Sequence, residues 1–324
     1  MAPARPLTPL ALLLALACRP APSVALETSP PTAAPAPATT AASGPTEFRF
    51  AWQAPCTVET HTTLGGSDES AEYRQLLAVR PGPDAATLVL AGAGFELLRY
   101  RGRDPQDPAI RHGVARFLIT HSLPVELVID RVGALVAVLG IDAEALLGVA
   151  RKLRPLTPEV EDLVRTLFKR QDVQSYFLYL AQREWSAWGS AVQGLRLAPG
   201  DEQVIEDVVD LAGVPLPRQV TIRHMGAVAE APGHVRLTLT RVVETSREQV
   251  NTGGVLFLFE FGRPPLGERG THIPMRSVEQ IEISTDPQTL RPSRVIYEWS
   301  RYTEEERTWS LRIAREFRWP EQCT

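Results

Sequence analysis

The sequence predicts an α+β fold: a large antiparallel, curved β-sheet with a central helical block inserted between two runs of strands and packed on one face. Three observations lead there. Ile141 to Gln193 is the only long stretch with helical periodicity. Strand-like sequence lies on both sides of it. The last run, Thr308 to Trp319, alternates cleanly: Trp309, Leu311, Ile313, Phe317 and Trp319 share one face, with Arg315 the exception, opposite Thr308, Ser310, Arg312, Ala314, Glu316 and Arg318. One buried and one solvated face is the habit of antiparallel sheets.

From Glu47 the chain reads as strands: Phe48 to Trp52, Thr57 to Thr63, Glu72 to Arg80, Ala86 to Leu90, Phe95 to Tyr100 and Val114 to His121. Gly65 to Asp68 and Pro81 to Asp84 are turns, Gly92-Ala93-Gly94 is a short glycine turn, and Arg101 to His112 is a polar loop. Asp130-Arg131-Val132-Gly133 places Asp first and Gly fourth in a turn. This predicts a hairpin of Val125–Ile129 with Ala134–Leu139.

In the central block one helix starts at the N-cap Asp142, with Ala143, Leu146, Leu147 and Ala150 as its stripe, and ends at Arg154-Pro155. A second starts at Thr157-Pro158-Glu159, a hydroxyl cap, a first-turn proline and an acid at the dipole's positive end. Val160, Leu163, Val164, Leu167 and Phe168 recur at helical spacing, and a break is expected near Gln171–Val173. The next face, Tyr176, Phe177, Leu180, Trp185 and Trp188, is heavy in aromatics. Such rings are core packed on a sheet, or the lining of a cavity between helix and sheet.

After the turn Pro199-Gly200-Asp201, strands are expected at Val204–Leu211, Val220–Met225, Val235–Val243, Gly254–Phe261, Val278–Ser284, Ser293–Tyr302 and Thr308–Trp319. In Val255–Phe261 both faces are apolar, with Val255, Phe257, Phe259 and Phe261 opposite Leu256 and Leu258. That fits a central strand covered on both sides, or a sheet curved around an apolar cavity. Asp130 and Asp286 each follow a strand and precede a turn and a returning strand, a weak echo of one β block in the other.

The amino terminus reads as an export signal. Arg5 is a thin positive region, Leu10 to Ala17 a short apolar stretch, and Ala15-Leu16-Ala17 supplies small residues before a cleavage point. It is too short to span a bilayer, and no later stretch is long and apolar enough. Leu14-Ala15-Leu16-Ala17-Cys18 resembles the lipobox of bacterial lipoproteins, in which the cysteine is acylated and becomes the first residue of the mature chain. It departs from that pattern at Ala15, where Leu is usual. Cleavage by ordinary signal peptidase after Ala17 or Ala25 is the alternative. Arg19 to Pro45 is a Pro/Ala/Thr/Ser tether that buries too little apolar surface to fold and reaches about 80 Å when extended. The expected organisation is a signal at 1–18, a tether at 19–46 and one domain at 47–324, with strands at 47–140, helices at 141–193 and strands at 199–320.

Composition bounds the function. The formal net charge is −4 and no basic patch is present, which argues against nucleic acid as partner. Lysine occurs only at Lys152 and Lys169 while arginine is abundant, and Asn251 is the single asparagine, a bias of GC-rich bacterial genomes. With Cys18 acylated, Cys56 and Cys323 remain, one at each end of the body. In an oxidising export compartment they form a natural disulfide.

No catalytic motif survives inspection. The six histidines are scattered without ligand spacing, Trp188-Gly189-Ser190-Ala191-Val192 lacks the G-x-S-x-G frame, and no Walker lysine is present. Glu304-Glu305-Glu306 reads as a solvated turn. The acidic group Asp201, Glu202, Glu206, Asp207 and Asp210 matches no EF-hand spacing. The expectation is a non-enzyme without metal or cofactor.

A signal, a lipobox-like cysteine, a tether and an antiparallel sheet with an inserted helical block are loosely similar to exported lipoproteins of the Lol-carrier type. There a curved sheet holds helices in its concave face and the gap takes acyl chains. The resemblance implies a protein anchored through acylated Cys18 in the periplasm of a Gram-negative bacterium. It would bind a lipid or other apolar small molecule, lined here by Phe168, Tyr176, Phe177, Trp185, Trp188, Phe257 and Phe259. The alternative is a structural or protein-interaction domain of the cell envelope with a filled core.

Overall fold

The structure, a computed structural model, describes residues 44–323 except 68, 111–112, 115–116, 118–124, 141, 145–146, 149–150, 152–157, 170, 212–213, 247–248, 250–273 and 304–305. The Cys18 lipobox, the tether up to residue 43 and the strand expected at Gly254–Phe261, with Phe257 and Phe259, lie outside the described residues.

The first half of the chain supplies β1 (Thr46–Glu47), β2 (Cys56–Gly66), β3 (Ser70–Pro81), β4 (Thr87–Tyr100), β5 (Glu126–Asp130) and β6 (Leu135–Leu139). Two helices follow, α1 (Pro158–Phe168) and α2 (Gln171–Trp188). The second half supplies β7 (Arg196–Leu197), β8 (Glu202–Leu211), β9 (Val214–Ala227), β10 (Val235–Glu244), β11 (Met275–Thr285), β12 (Pro292–Thr303) and β13 (Glu306–Arg318). β1 and β7 form a small pair. The other eleven strands make one open antiparallel sheet in the order β6-β5-β4-β3-β2-β13-β12-β11-β10-β9-β8. It is two meanders joined where β2 pairs β13, so both ends of the folded body meet at its middle. Cys56 is bonded to Cys323 across that junction, 267 residues apart in sequence.

The sheet curls around α2. Gly133, in the β5–β6 turn, accepts a hydrogen bond from Trp185 Nε1 at 2.9 Å, while Arg241 of β10 donates to the Ser186 carbonyl at 2.6 Å. Seven inter-strand steps separate β5 from β10. Laid flat they span about 34 Å, which two side chains reaching adjacent residues cannot bridge.

Most elements follow the sequence pattern, and the departures have physical reasons. Phe48 to Trp52 alternates like a strand but is not one. Its backbone is pinned by the amides of Phe48, Arg49 and Ala51 donating to the carbonyls of Leu195, Pro287 and Thr289. Phe48, Phe50 and Trp52 are thereby buried as an inserted segment. Gly92 to Gly94 is no turn: β4 runs through it, with a register shift opposite Leu76/Leu77 absorbing the irregularity. Val114 to His121 was expected as a strand, yet its described residues Val114 and Phe117 are helical, as is Gly113 before them. Their spacing of three suits one helical face, and that face packs on Tyr73, Tyr100 and Phe95. Around Asp142, the described Ala143, Glu144, Leu147, Gly148 and Arg151 are helical, and Leu147 is fully buried. The break expected near Gln171 falls just before it, where α2 begins.

The two aspartate turns are built alike. Asp130 Oδ1 accepts from the amides of Val132 and Ala134, and Asp286 Oδ1 from that of Gln288. Each closes the fourth strand of its meander. Gly133 sits at φ 86°, and an added Cβ would lie 2.9 Å from the Phe50 ring, so both conformation and space require glycine there.

Candidate functional site

The concave face divides into three layers. The lowest is a ring cluster. Trp52 stacks on Trp188 with centroids 5.9 Å apart and meets Trp185 and Trp319 edge-on at 5.4 and 4.9 Å. Phe50 and Phe317 close its sides. Trp185 and Trp188 are 1% and 6% exposed. The gap beside Trp188, bounded by Tyr297, Ile313 and Arg315, measures about 20 Å³, room for roughly one water. These two tryptophans, expected as ligand lining, are packed core. Strands from β5 round to β9 contribute apolar side chains to the same cluster.

The middle layer is polar. Thr60 and Thr62 are fully buried on β2, and Arg315 of β13 bonds Thr62 Oγ1 through Nε and Glu184 of α2 through Nη1 at 2.6 Å. On the other meander Arg241 of β10 faces Glu279 of β11 in register. Glu279 Oε1 lies 2.5 Å from Arg183 Nε of α2, while its Oε2 is 3.4 Å from Arg241 Nη1. All three side chains are at most 10% exposed. Arg183 also bonds the Tyr297 hydroxyl. Farther along, Arg218 of β9 pairs with Asp207 of β8. Burial pushes the Arg241 guanidinium below its ordinary range, against the pull of Glu279. For Arg315 burial acts the same way, but Glu184 and Tyr73 together outweigh it and hold the group above its ordinary value.

The upper layer, which begins level with Arg241 and Glu279 because Trp299 of β12 is the register partner of Glu279, is again aromatic. Arg183 lies 3.9 Å over the Trp299 ring, and Arg301 lies 4.5 Å from Trp299 and 4.3 Å from Trp309. The two rings meet edge-on at 4.8 Å, and Trp299 Nε1 donates to Ser277 Oγ at 2.7 Å. Trp299, Trp309, Leu311 and Ile313 are only half-buried. Beside them Tyr73 of β3 and Phe95 and Tyr100 of β4 pack with the helical Phe117 in a second apolar cluster.

Of the expected lining residues, Trp185 and Trp188 are thus brought together. Phe168 closes α1 half-buried. Tyr176 and Phe177 lie in α2, in a stretch whose side chains are outside the description. Sequence reasoning missed Arg183, Arg241, Glu279, Trp299 and Trp309. One signal was available: Arg241 and Glu279, like Arg315, are charged residues on the inward face of an alternating strand.

Of the six histidines, His112, His121 and His272 lie outside the described residues, and no group of three or more His, Cys, Asp or Glu is placed to hold a metal among the described residues. In the acidic β8 segment, Glu202 and Asp207 are taken by Arg223 and Arg218. Among the described residues no helix is long and apolar enough to cross a membrane. Comparison of the chain with protein-family models and with curated proteins finds no match.

Proposed function

We propose that the chain is an exported, membrane-tethered binding protein of the cell envelope, non-enzymatic, that holds a lipid or other apolar ligand between the curled sheet and its helices. The observation that carries this reading is the upper layer. Trp299, Trp309, Leu311 and Ile313 present half-buried apolar surface on the concave side of a sheet whose lower layer is already filled. Concave apolar surface with a few converging polar groups is the usual form of a small-molecule site. The Cys56–Cys323 disulfide is consistent with export. Cys18 is the proposed acylated anchor, with the tether giving the body reach.

A second reading, a protein-interaction or structural domain of the envelope, is favoured by the tight closure of α2 on the sheet at Trp188. Native mass spectrometry of the full chain, exported in a Gram-negative host, separates them. A co-purified lipid mass lost on denaturation supports the carrier. A protein carrying only its processing and disulfide mass changes favours the interaction domain.

A further inference from the structure

We propose that the open edge of β8 is a docking site for a second protein, taken up as an added strand whose outward face alternates apolar, basic and apolar side chains. This goes beyond the ligand reading above and does not depend on it. The sheet is open, and its two end strands differ. At one end β6 is five residues long and carries no charge. At the other end β8 runs for ten residues and pairs with β9 in unbroken register. It has no lysine, no proline and no bulge, the devices with which proteins commonly blunt a free edge. Among the described residues its outer edge is unpaired. Alternate amides and carbonyls therefore point away from the sheet and are available to a further strand.

The side chains of β8 select the strand that fits. Gln203 and Ile205 lie opposite Ile222 and Val220, which belong to the core, so the odd-numbered residues face the concave side. The even-numbered ones face outward. There Val204 and Val208, 51% and 67% exposed, flank the exposed Glu206. Glu202 and Asp207 are taken by Arg223 and Arg218. Glu206 instead lies opposite Gln219 and has no ion pair among the described residues. Opposite charges on facing strands attract and like charges repel. The complementary strand therefore carries Lys or Arg opposite Glu206 and apolar side chains opposite Val204 and Val208. A second copy pairing through β8 does not supply that pattern, because β8 has no cation, and registers centred on Glu206 or Asp207 set like charges face to face. The chain's own apolar run Val255 to Phe261 does not supply it either, since its one charge is Glu260.

The test measures binding to the exported full chain, by fluorescence anisotropy, of the labelled peptide Lys-Thr-Val-Thr-Lys-Thr-Val-Thr-Lys and of the same peptide with glutamate at its central lysine. The sequence reads alike in both directions, so strand orientation does not change the match. The lysine peptide is expected to bind, and the glutamate peptide on the order of tenfold more weakly, because an attractive cross-strand pair becomes a repulsive one. In Glu206→Lys, a substitution at an exposed side chain whose fold thermal unfolding verifies, the preference reverses. N-methylation of one alternate set of peptide amides abolishes binding while methylation of the other set leaves it, because only one edge of the peptide faces β8. Binding of neither peptide overturns the proposal, as does a preference that Glu206→Lys leaves unchanged. Equal binding of the two N-methylated forms overturns strand addition, the remaining affinity being charge attraction alone. A chain that sediments as a dimer, and as a monomer once Val208→Lys is introduced, assigns the edge to a second copy and overturns the proposed partner.

Discussion

Two pairs of tryptophans lie on the same concave face and have opposite surroundings. Trp185 and Trp188 are enclosed by Phe50, Trp52 and Phe317. Trp299 and Trp309 are half-buried and bracketed by the guanidiniums of Arg183 and Arg301. Residue type alone says aromatic stripe in both cases. The neighbours separate them: rings against rings exclude water and hold the fold, whereas rings under cations keep a polar, partly wet surface suited to recognition.

The sharpest way to break this contrast is truncation. Trp185→Ala removes a fully buried indole together with its hydrogen bond to Gly133, and is expected to cost about 3–5 kcal/mol. It should appear as a large fall in the urea midpoint. Trp299→Ala is expected to cost less, about 1–2 kcal/mol, since the ring is only partly buried and makes no ring-filled enclosure. Equal costs at the two positions would erase the distinction between the layers.

The disulfide tests the lower layer in another way. Cys56 and Cys323 both lie in the ring-filled core cluster, and their bond closes nearly the whole body. Cys56→Ser with Cys323→Ser is expected to lose about 2–5 kcal/mol, most of it through the unfolded state. Chemical denaturation with and without reductant measures the same quantity on the wild type. Gly133→Ala belongs a step lower, at about 1–2 kcal/mol, because it forces a side chain into positive φ against Phe50.

Much of this was legible in the sequence, for definite reasons. Period-two alternation placed β2, β3 and β10 to β13, and Asp130 and Gly133 placed the β5–β6 hairpin. The Cys56–Cys323 pairing followed from counting. What failed is equally specific. Phe48, Phe50 and Trp52 alternate because an extended segment plugs the curl, and alternation cannot distinguish a plug from a strand. Gly92 and Gly94 punctuate a turn in one context and a bulged strand in another. The polar layer was hidden because its partners are distant in sequence: Arg315 meets Glu184 from 131 residues away. An inward charge in a strand announces a partner without naming it.

Charge on the surface completes the contrast with charge in the polar middle layer, and gives the smallest expected effect. Arg151 and Arg165 share Glu144 and Glu161 in an exposed lattice joining the helical residues around Arg151 to α1. The hydrogen bond from Arg151, aided by Arg165 and opposed by the little burial present, lowers the Glu161 carboxyl from 4.5 to about 2. A carboxyl whose folded value is depressed stabilises the fold fully above its ordinary value and loses that contribution as pH falls through its folded value. The difference in Tm between wild type and Glu161→Gln is therefore expected to be small and constant above 4.5, and to close as pH falls toward about 2. Added salt should shrink it, because both partners are solvent-accessible. For Glu279→Gln, in contrast, the difference in Tm should resist salt, since Glu279 is only 9% exposed. Salt-sensitive behaviour at Glu279 would mean that the polar middle layer is wet.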